Sequence, residues 1–202
     1  IIGGGISGTS LACSMAQRGA GKGVGIVDVD LYGKFSSSEL NGGGVRSTFA
    51  EPINIQISLA STQYYRAHAD LLDFCQRGYF WMYDQALWEQ ARTFLPVVRE
   101  HGLIVEELDA ARIRDRFPIL SDISDLAGAT FTPLDGRLSP HRLRMHYLSE
   151  AQRGGVDVLD RWRVIGIEND RPPYIVRMRR VGSRDVRRVL EDPQAQGSPH
   201  PG

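Results

Sequence analysis

The chain has 202 residues, of which 24 are Lys or Arg and 24 are Asp or Glu, so its formal net charge is zero. This balance gives no electrostatic argument for nucleic acid as a partner, and no run approaches the ~18 consecutive apolar residues of a transmembrane helix. Two cysteines, Cys13 and Cys75, are too few for a disulfide-stabilised scaffold. Two glycine triplets, at 3–5 and 42–44, are the most informative positions.

The N-terminal segment predicts a strand, a glycine turn, a helix and a second strand. Ile1 and Ile2 lead into the first triplet, a helix is predicted over Thr9–Arg18, and Val24–Val29 is an apolar run typical of a buried parallel strand. This order is a βαβ unit. Because strands usually have about 5–6 residues, we expect the chain to begin inside a strand.

The middle of the chain predicts both helices and strands. Pro52 suits the first position of a helix, and Asp109 is predicted to cap another that ends near Phe117, because Pro118 follows. After Pro52, apolar residues recur every three or four positions, which predicts one buried stripe: Ile53, Ile57, Ala60, Tyr64, Ala67, Leu71 and Phe74. The other elements predicted here are a helix over Leu87–Val98 and strands over Tyr79–Tyr83, Leu103–Leu108 and Ala127–Thr132.

The last predicted helix opens at Ser139 and Pro140, and three short strands follow it. From Val181 the sequence has few large apolar residues and much Arg, Pro and Gly, which predicts a disordered tail over 181–202. We expect the chain to be incomplete at both ends, as an N-terminal fragment or a truncated gene product. No leader segment is recognisable in it, and we expect a cytoplasmic location. The three strands predicted after this last helix are Val156–Leu159, Val164–Glu168 and Tyr174–Met178.

The first glycine triplet belongs to a G-x-G-x-x-G pattern formed by Gly3, Gly5 and Gly8. Gly3 allows the tight turn, Gly5 lets a pyrophosphate approach the backbone, and Gly8 allows close packing of helix on strand. Asp28 lies 20 residues after Gly8 at the end of the second strand, where its carboxylate can accept hydrogen bonds from a ribose diol. A carboxylate repels a 2′-phosphate, so the pattern predicts FAD or NAD rather than NADP.

The second triplet, Gly42 to Gly44, follows a serine-rich segment and precedes Arg46. A nicotinamide domain does not require this second glycine loop, whereas a flavin needs a second place where the backbone comes close. Serine hydroxyls can donate to a pyrophosphate. Arg46 is the candidate catalytic residue, because it would place a fixed positive charge near the flavin ring or a substrate carboxylate.

These motifs resemble the FAD-dependent D-amino-acid oxidase superfamily, on the branch with sarcosine oxidase, glycine oxidase and dimethylglycine dehydrogenase. The segments that carry the resemblance are IIGGGISG, IVDVD, SSSELNGGGVR, FAEPINIQISLAS, RFPIL, ATFTPLDGRLSPHRL and RWRVIGIE. The FAEPINIQISL segment also resembles a mitochondrial member implicated in assembly of respiratory complex I. Relatives often carry Glu with Arg or Lys at the ribose strand, where this chain has Asp28 and Val29.

The resemblance implies a role for each matching position. The FAD pyrophosphate would be held by Gly3, Gly5, Ile6, Ser7 and Gly8, and the adenosine ribose by Asp28. The backbone of Val164 would pair with adenine. The flavin side of the dinucleotide would be lined by Ser37, Ser38, Asn41, Gly42 and Gly43.

The resulting fold class is α/β: a Rossmann-like FAD-binding βαβ domain with an inserted α+β layer. The predicted division is 1–77 for the N-terminal part of the FAD-binding domain, 78–140 for the inserted substrate-side region, 141–180 for the return to the FAD-binding domain, and 181–202 for the tail. His141 and His146 are five positions apart on one helix, so no metal site is predicted.

The function implied by the resemblance is oxidation of a C–N bond in a small amine or amino acid by hydride transfer to FAD. The electron acceptor is not readable from the sequence. Three alternatives remain open at this point. They are a non-catalytic FAD-binding assembly or scaffold protein, a truncated inactive fragment, and an NAD-dependent dehydrogenase, which the second glycine loop disfavours.

Overall fold

A computed structural model describes residues 1–33, 36–120, 122–169 and 171–191. Across these ranges, none of the helices combines the length and apolarity that crossing a bilayer requires. The elements are α1 (Ile6–Gln17), β1 (Gly25–Asp28), β2 (Gly44–Val45), α2 (Pro52–Ala67), α3 (Ala69–Leu72), β3 (Tyr79–Tyr83), α4 (Gln85–Glu100), β4 (Glu106–Leu108), α5 (Ala110–Arg116), β5 (Gly128–Thr132), β6 (Gly136–Arg137), α6 (Pro140–Arg153), β7 (Asp157–Asp160), β8 (Trp162–Glu168), β9 (Ile175–Arg180) and α7 (Val186–Glu191).

The described residues form two compact units. The first contains Ile1–Asn41 and the described residues from Pro140 onward, and the second contains Gly42–Ser139. The second unit therefore begins well before the predicted boundary between 77 and 78. The reason is strand pairing, because β2 pairs antiparallel with β6 and Cys75 forms a bridge with Arg137. These pairs hold the 42–77 segment within the second unit.

The first unit contains the predicted βαβ arrangement. Ile2 forms a parallel bridge with Val27, α1 follows, and β1 pairs in parallel with β7 from Gly25 opposite Asp157 to Asp28 opposite Asp160. Helix α1 begins at Ile6 rather than at the predicted Thr9, because Gly5 has an extended conformation and takes the N-cap position. β8 and β9 form an antiparallel pair.

The core of the first unit lies between α1, α6 and the strands. Cys13 is 2% exposed and belongs to this core, where it packs as a small apolar residue. Burial raises the pKa of its thiol, so the cysteine is kept in the uncharged form. The other buried members are Ala12, Ile26, Leu31, Leu148, Ala151 and Val156.

The predicted disordered tail is wrong for its first part. Val186–Glu191 forms α7, and the side chains of Val181, Val186 and Val189 are buried together against Val29. These three valines form an apolar surface, which the Arg-rich composition of the segment did not indicate. The remainder of that prediction, residues 192–202, lies outside the described residues.

The second unit is built on an antiparallel sheet in the order β3-β5-β4. Two helices of this unit begin at capping aspartates: for α4, Asp84 accepts a hydrogen bond from the amide of Leu87 at 2.8 Å, and for α5, Asp109 accepts from that of Arg112 at 2.9 Å. The cap at Asp109 was predicted. One core cluster of this unit consists of Leu108, Ile113, Ile123, Ala129 and Phe131.

The predicted buried stripe on α2 is wrong. Ile53 and Ile57 are 59% and 58% exposed, whereas Ile55 is completely buried. Ile55 belongs to a cluster with Leu95 and Val98 of α4, and Thr62 is buried on the same helix. Apolar residues occur on more than one face of α2, so their spacing alone did not identify the face that packs.

Candidate functional site

The glycine turn joins the Ile1–Ile2 segment to α1, and the backbone of the turn packs directly against the start of the helix. Gly3 has a φ of +99°, which favours glycine, and its amide donates to the carbonyl of Val27 at 2.9 Å. At Gly8, an added Cβ would overlap the carbonyl oxygen of Gly3. Helix and strand can therefore approach this closely only without a side chain at position 8.

The start of α1 presents several backbone amides. The amide of Ile6 donates to the hydroxyl oxygen of Ser38 at 2.9 Å, and that of Thr9 donates to the carbonyl of Gly5 at 3.0 Å. No described residue accepts a hydrogen bond from the amides of Gly5, Ser7 or Gly8. Amides at a helix N-terminus form a binding site for an anion.

Gly5 and Gly4 lie in different surroundings. An added Cβ at Gly5 would lie 3.4 Å from the hydroxyl oxygen of Ser38 and have no other atom within 4 Å. At Gly4, it would overlap the side chain of Leu31. Leu31 and Asp28 thus occupy the space beside Gly4, whereas the space beside Gly5 is open. This open backbone, together with the amides of Ser7 and Gly8, fits a pyrophosphate.

Asp28 ends β1 and contacts the glycine turn directly. One of its carboxylate oxygens accepts from the amide of Gly4 at 2.5 Å, and the other accepts from the amide of Asp30 at 3.0 Å. Each carboxylate oxygen has a second lone pair, so the group keeps acceptor capacity for a diol. The structure therefore brings Asp28 and the turn together, as the spacing of 20 residues suggested.

The serine loop at 36–41 approaches the same turn through Ser38. The carbonyl of Ser36 accepts from the amides of Glu39 and Leu40 at 2.9 and 3.1 Å, which forms a tight turn around Ser37 and Ser38. Ser37 and Asn41 are exposed. Val164, the predicted adenine position, lies in β8 opposite Met178, where the register is interrupted between Val164 and Gly166.

The second unit carries Gly42 and Gly43. An added Cβ at Gly42, which is exposed, would have no atom within 4 Å. Gly43 has a φ of +73° and accepts at its carbonyl from the amide of Leu138 at 3.0 Å. At Gly44, an added Cβ would lie 3.0 Å from the ring of Tyr79. The second glycine loop therefore packs closely against β3 and the segment after β6.

Arg46 lies next to an aromatic surface of the second unit. Its guanidinium carbon is 4.9 Å from the ring centroid of Trp81, which is a cation–π distance. The rings of Trp81 and Tyr79 are 5.3 Å apart, and no described residue accepts from the indole N–H of Trp81. Arg46 is exposed and pairs with no described carboxylate. The exposed guanidinium is available to an anion, whereas the indole N–H of Trp81 is buried and lacks a described acceptor.

Asp135 fixes the loop that contains Arg46. It is 1% exposed, and its carboxylate accepts from the hydroxyl of Thr132 at 2.7 Å and from the amide of Ser47 at 3.2 Å. Burial raises the pKa of this carboxyl, although its hydrogen bonds with Thr132 and Ser47 act in the opposite direction. The amide of Asp135 donates to the carbonyl of Thr132 at 3.2 Å, which closes a turn between β5 and β6.

Sequence reasoning missed three residues of the first unit: Gly4, Glu39 and Arg144. The side chain of Arg144 on α6 is 1% exposed and that of Glu39 is 6% exposed, and the two are joined at 2.6 Å. A signal was present, because Arg144 shares a helical face with Leu148 and Ala151, which belong to the core. A charged residue in phase with core residues indicates a buried polar contact.

Comparison with known proteins places this geometry in a class. Residues 1–190 match the DAO family, described as FAD dependent oxidoreductase. The fold is similar to L-proline dehydrogenase from P. horikoshii, with a TM-score of 0.74 and 23% identity over 88% of this chain and 47% of that chain. It is also similar to glycine oxidase from Bacillus cereus, with a TM-score of 0.65 and 22% identity over 84% of this chain and 47% of that one.

The chain belongs to the DAO family of FAD-dependent oxidoreductases. A curated relative, FAD-dependent oxidoreductase domain-containing protein 1 from Xenopus laevis, is 32% identical over 136 residues, which are 58% of this chain and 26% of that protein. The chain thus spans about a quarter of this relative and about half of the two solved structures. The resemblance read from the sequence motifs is confirmed.

We expect Gly8→Ala to destabilise the first unit, because the new methyl group must displace the carbonyl of Gly3. Overpacking of this kind costs about 1–3 kcal/mol. The matched control is Gly25→Ala in β1, where an added Cβ would have its nearest neighbour, a methyl group of Leu159, at 3.8 Å. Urea unfolding of both variants measures the difference. Equal stability of Gly8→Ala and the parent chain would contradict the packing argument.

We expect Asp135→Asn to gain stability relative to the parent chain as the pH rises. The raised pKa means that the folded protein keeps the Asp135 proton more tightly than the unfolded chain, so ionisation lowers the free energy of unfolding as pH rises through that pKa. Asparagine has no such ionisation, and its carbonyl can still accept from Thr132 and Ser47.

The measurement for Asp135 is urea unfolding of both proteins at about pH 4, near the ordinary carboxyl pKa, and at about pH 7. Asp115→Asn, at an exposed position of the same unit, controls for the loss of one negative charge. A difference between Asp135→Asn and the parent chain that is the same at both pH values would show that burial does not govern this carboxyl.

Proposed function

We propose that this chain forms part of the FAD site of an oxidoreductase that oxidises a C–N bond in an amino acid or a related amine. The observation that carries the proposal is the glycine turn. It contacts both Asp28 and the hydroxyl of Ser38, while the amides of Gly5, Ser7 and Gly8 donate to no described residue. Membership of the DAO family supports FAD as the dinucleotide.

Each predicted position takes one part of the cofactor in this proposal. The pyrophosphate is held by the amides of Gly5, Ser7 and Gly8, with Gly3 shaping the turn and Ile6 holding Ser38 in place. Asp28 would accept from the ribose diol at its carboxylate, and the backbone at Val164, where the strand register is interrupted, would pair with adenine. The flavin side is lined by Ser37, Ser38, Asn41, Gly42 and Gly43.

The proposed substrate class follows from Arg46 and Trp81. FAD, when bound, supplies the hydride acceptor. The chain itself supplies an exposed guanidinium over the ring of Trp81, whose buried indole N–H lacks a described acceptor. A guanidinium suits a carboxylate. Structures of similar fold include an L-proline dehydrogenase, a glycine oxidase and, from Proteus myxofaciens, an L-amino acid deaminase. The names of these proteins specify amino acids, which carry a nitrogen beside a carboxylate.

The test uses the full-length protein that contains this chain. We expect the purified protein to show flavin absorption, to release FAD on denaturation, and to lose its colour when mixed with an amino acid substrate in the absence of oxygen. A colourless protein would contradict the proposal, and release of NAD would favour the dehydrogenase alternative. Bound FAD that no amine or amino acid bleaches would favour a non-catalytic assembly or scaffold role.

We expect Arg46→Met to weaken binding of amino acids but not of amines that lack a carboxylate. Loss of a hydrogen-bonded charge pair corresponds to about a ten- to hundredfold increase in KM for the amino acid. Steady-state kinetics with an amino acid and its decarboxylated analogue measure this difference. The control is Arg92→Met, at an exposed position on α4 of the same unit. An equal effect on both substrates would show that Arg46 is not a carboxylate ligand.

A further inference from the structure

Arg144 is the buried cation of the first unit. Removing a guanidinium from water costs several kcal/mol, and the cost is offset only where a carboxylate and further acceptors replace the solvent. Arg144 has these partners: its Nε donates to Glu39 at 2.6 Å, and its terminal nitrogens donate to the carbonyls of Gly4 at 3.3 Å, Gly33 at 3.1 Å and Leu31. The second carboxylate oxygen of Glu39 lies 2.9 Å from Nδ1 of His141.

The partners of Arg144 lie in three separate segments. Gly4 belongs to the glycine turn, Leu31 and Gly33 belong to the segment that follows Asp28, and Glu39 belongs to the serine loop next to Ser38. In the proposed function, the glycine turn binds the pyrophosphate, the second segment directly follows the ribose ligand Asp28, and the serine loop lines the flavin side. One side chain on α6 therefore connects the three segments, although it is more than a hundred residues away from each of them in the sequence.

The contact with Gly4 determines the direction of the Gly5 amide. The carbonyl of Gly4 and the N–H of Gly5 belong to one trans peptide group, in which they point in opposite directions. Because Arg144 holds that carbonyl, the N–H of Gly5 points away from Arg144, and no described residue accepts from it. On its other side, Gly4 is held by the hydrogen bond from its own amide to Asp28.

The contact with Glu39 acts on Ser38. Glu39 is held by Arg144 and His141, and its amide donates to the carbonyl of Ser36. The adjacent hydroxyl of Ser38 accepts from the amide of Ile6 at the start of α1. A lysine could not replace Arg144, because a single ammonium group does not present the spread of donors that reaches all four acceptors.

We propose that Arg144 and Glu39 are positioning residues that pre-organise the three segments for FAD. This inference rests on the proposed function. The ion pair lowers the cost of FAD binding, because the amide of Gly5, the carboxylate of Asp28 and the hydroxyl of Ser38 are already oriented before the ligand arrives. Apolar residues would fill the same space without a desolvation cost, but they could not hold the three carbonyls and the Glu39 carboxylate that Arg144 contacts.

The experiment measures FAD affinity in the full-length protein. Apoprotein is prepared for the parent and for Arg144→Met, Arg144→Lys and Glu39→Gln, and the Kd for FAD is obtained from flavin fluorescence at a temperature well below each melting point. We expect Kd to rise about tenfold or more in both Arg144 variants and by a smaller factor in Glu39→Gln. The control is Arg153→Met on the same helix, where the arginine is 68% exposed and pairs with Glu150.

A second readout separates positioning from stability alone. We expect the amides of residues 4–8 and 36–41 to exchange hydrogen faster in the Arg144 apoproteins, while α1 and β1 keep the parent rate. A purely structural role for the pair would lower the melting temperature and leave the Kd of the folded protein unchanged. That result would overturn the inference.

The remaining outcomes are also decisive. If Arg144→Met does not fold, Arg144→Lys and Glu39→Gln decide the question, and parent-like Kd values in both would overturn the inference. A parent protein that binds no FAD would contradict the proposed function and, with it, the role of the pair. This failure is recognised in the parent alone and so is distinct from a failure of the variants.

Discussion

The close contact between Gly3 and Gly8 is the constraint on which the first unit depends. No Cβ separates the start of α1 from the carbonyl of Gly3, so the helix begins directly at the turn. The amide of Ile6 can then reach Ser38, while the amides of Gly5, Ser7 and Gly8 remain without a described acceptor. A side chain at position 8 would move the helix away from Gly3. The amides at the start of α1 would then move away from both the turn and Ser38.

The glycine turn and the serine loop lack buried apolar side chains that would hold them in place, whereas the segment after Asp28 is anchored by buried Leu31. Glycine and serine bury little apolar surface and lose much conformational freedom on folding. Their order must therefore come from hydrogen bonds to groups outside the loops. Asp28 holds Gly4 from β1, and Arg144 holds Gly4, Leu31 and Gly33 from α6. Secondary-structure elements thus provide the rigidity, and the loops provide the exposed amides.

Local signals in the sequence predicted the parts of the fold that local physics decides. The glycine spacing predicted the turn and its proximity to Asp28, and proline and aspartate identified the first residues of α2, α5 and α6. The packing face of α2 depended on contacts with α4, which the spacing of its own residues does not contain. Glu39 and Arg144 are 105 positions apart in the sequence, so local sequence patterns do not predict their pairing.

The second unit holds its glycine loop with a buried carboxyl instead of a buried ion pair, and this changes its response to pH. Ionised Asp135 accepts more strongly from Ser47 and Thr132 than the neutral acid does. The interactions that shift the pKa of Asp135 include no cation that would compensate for its burial. The raised pKa shows that desolvation outweighs the hydrogen bonds. Since Ser47 directly follows Arg46, the loop that presents the exposed guanidinium is held by a carboxyl group whose charge is disfavoured by its burial.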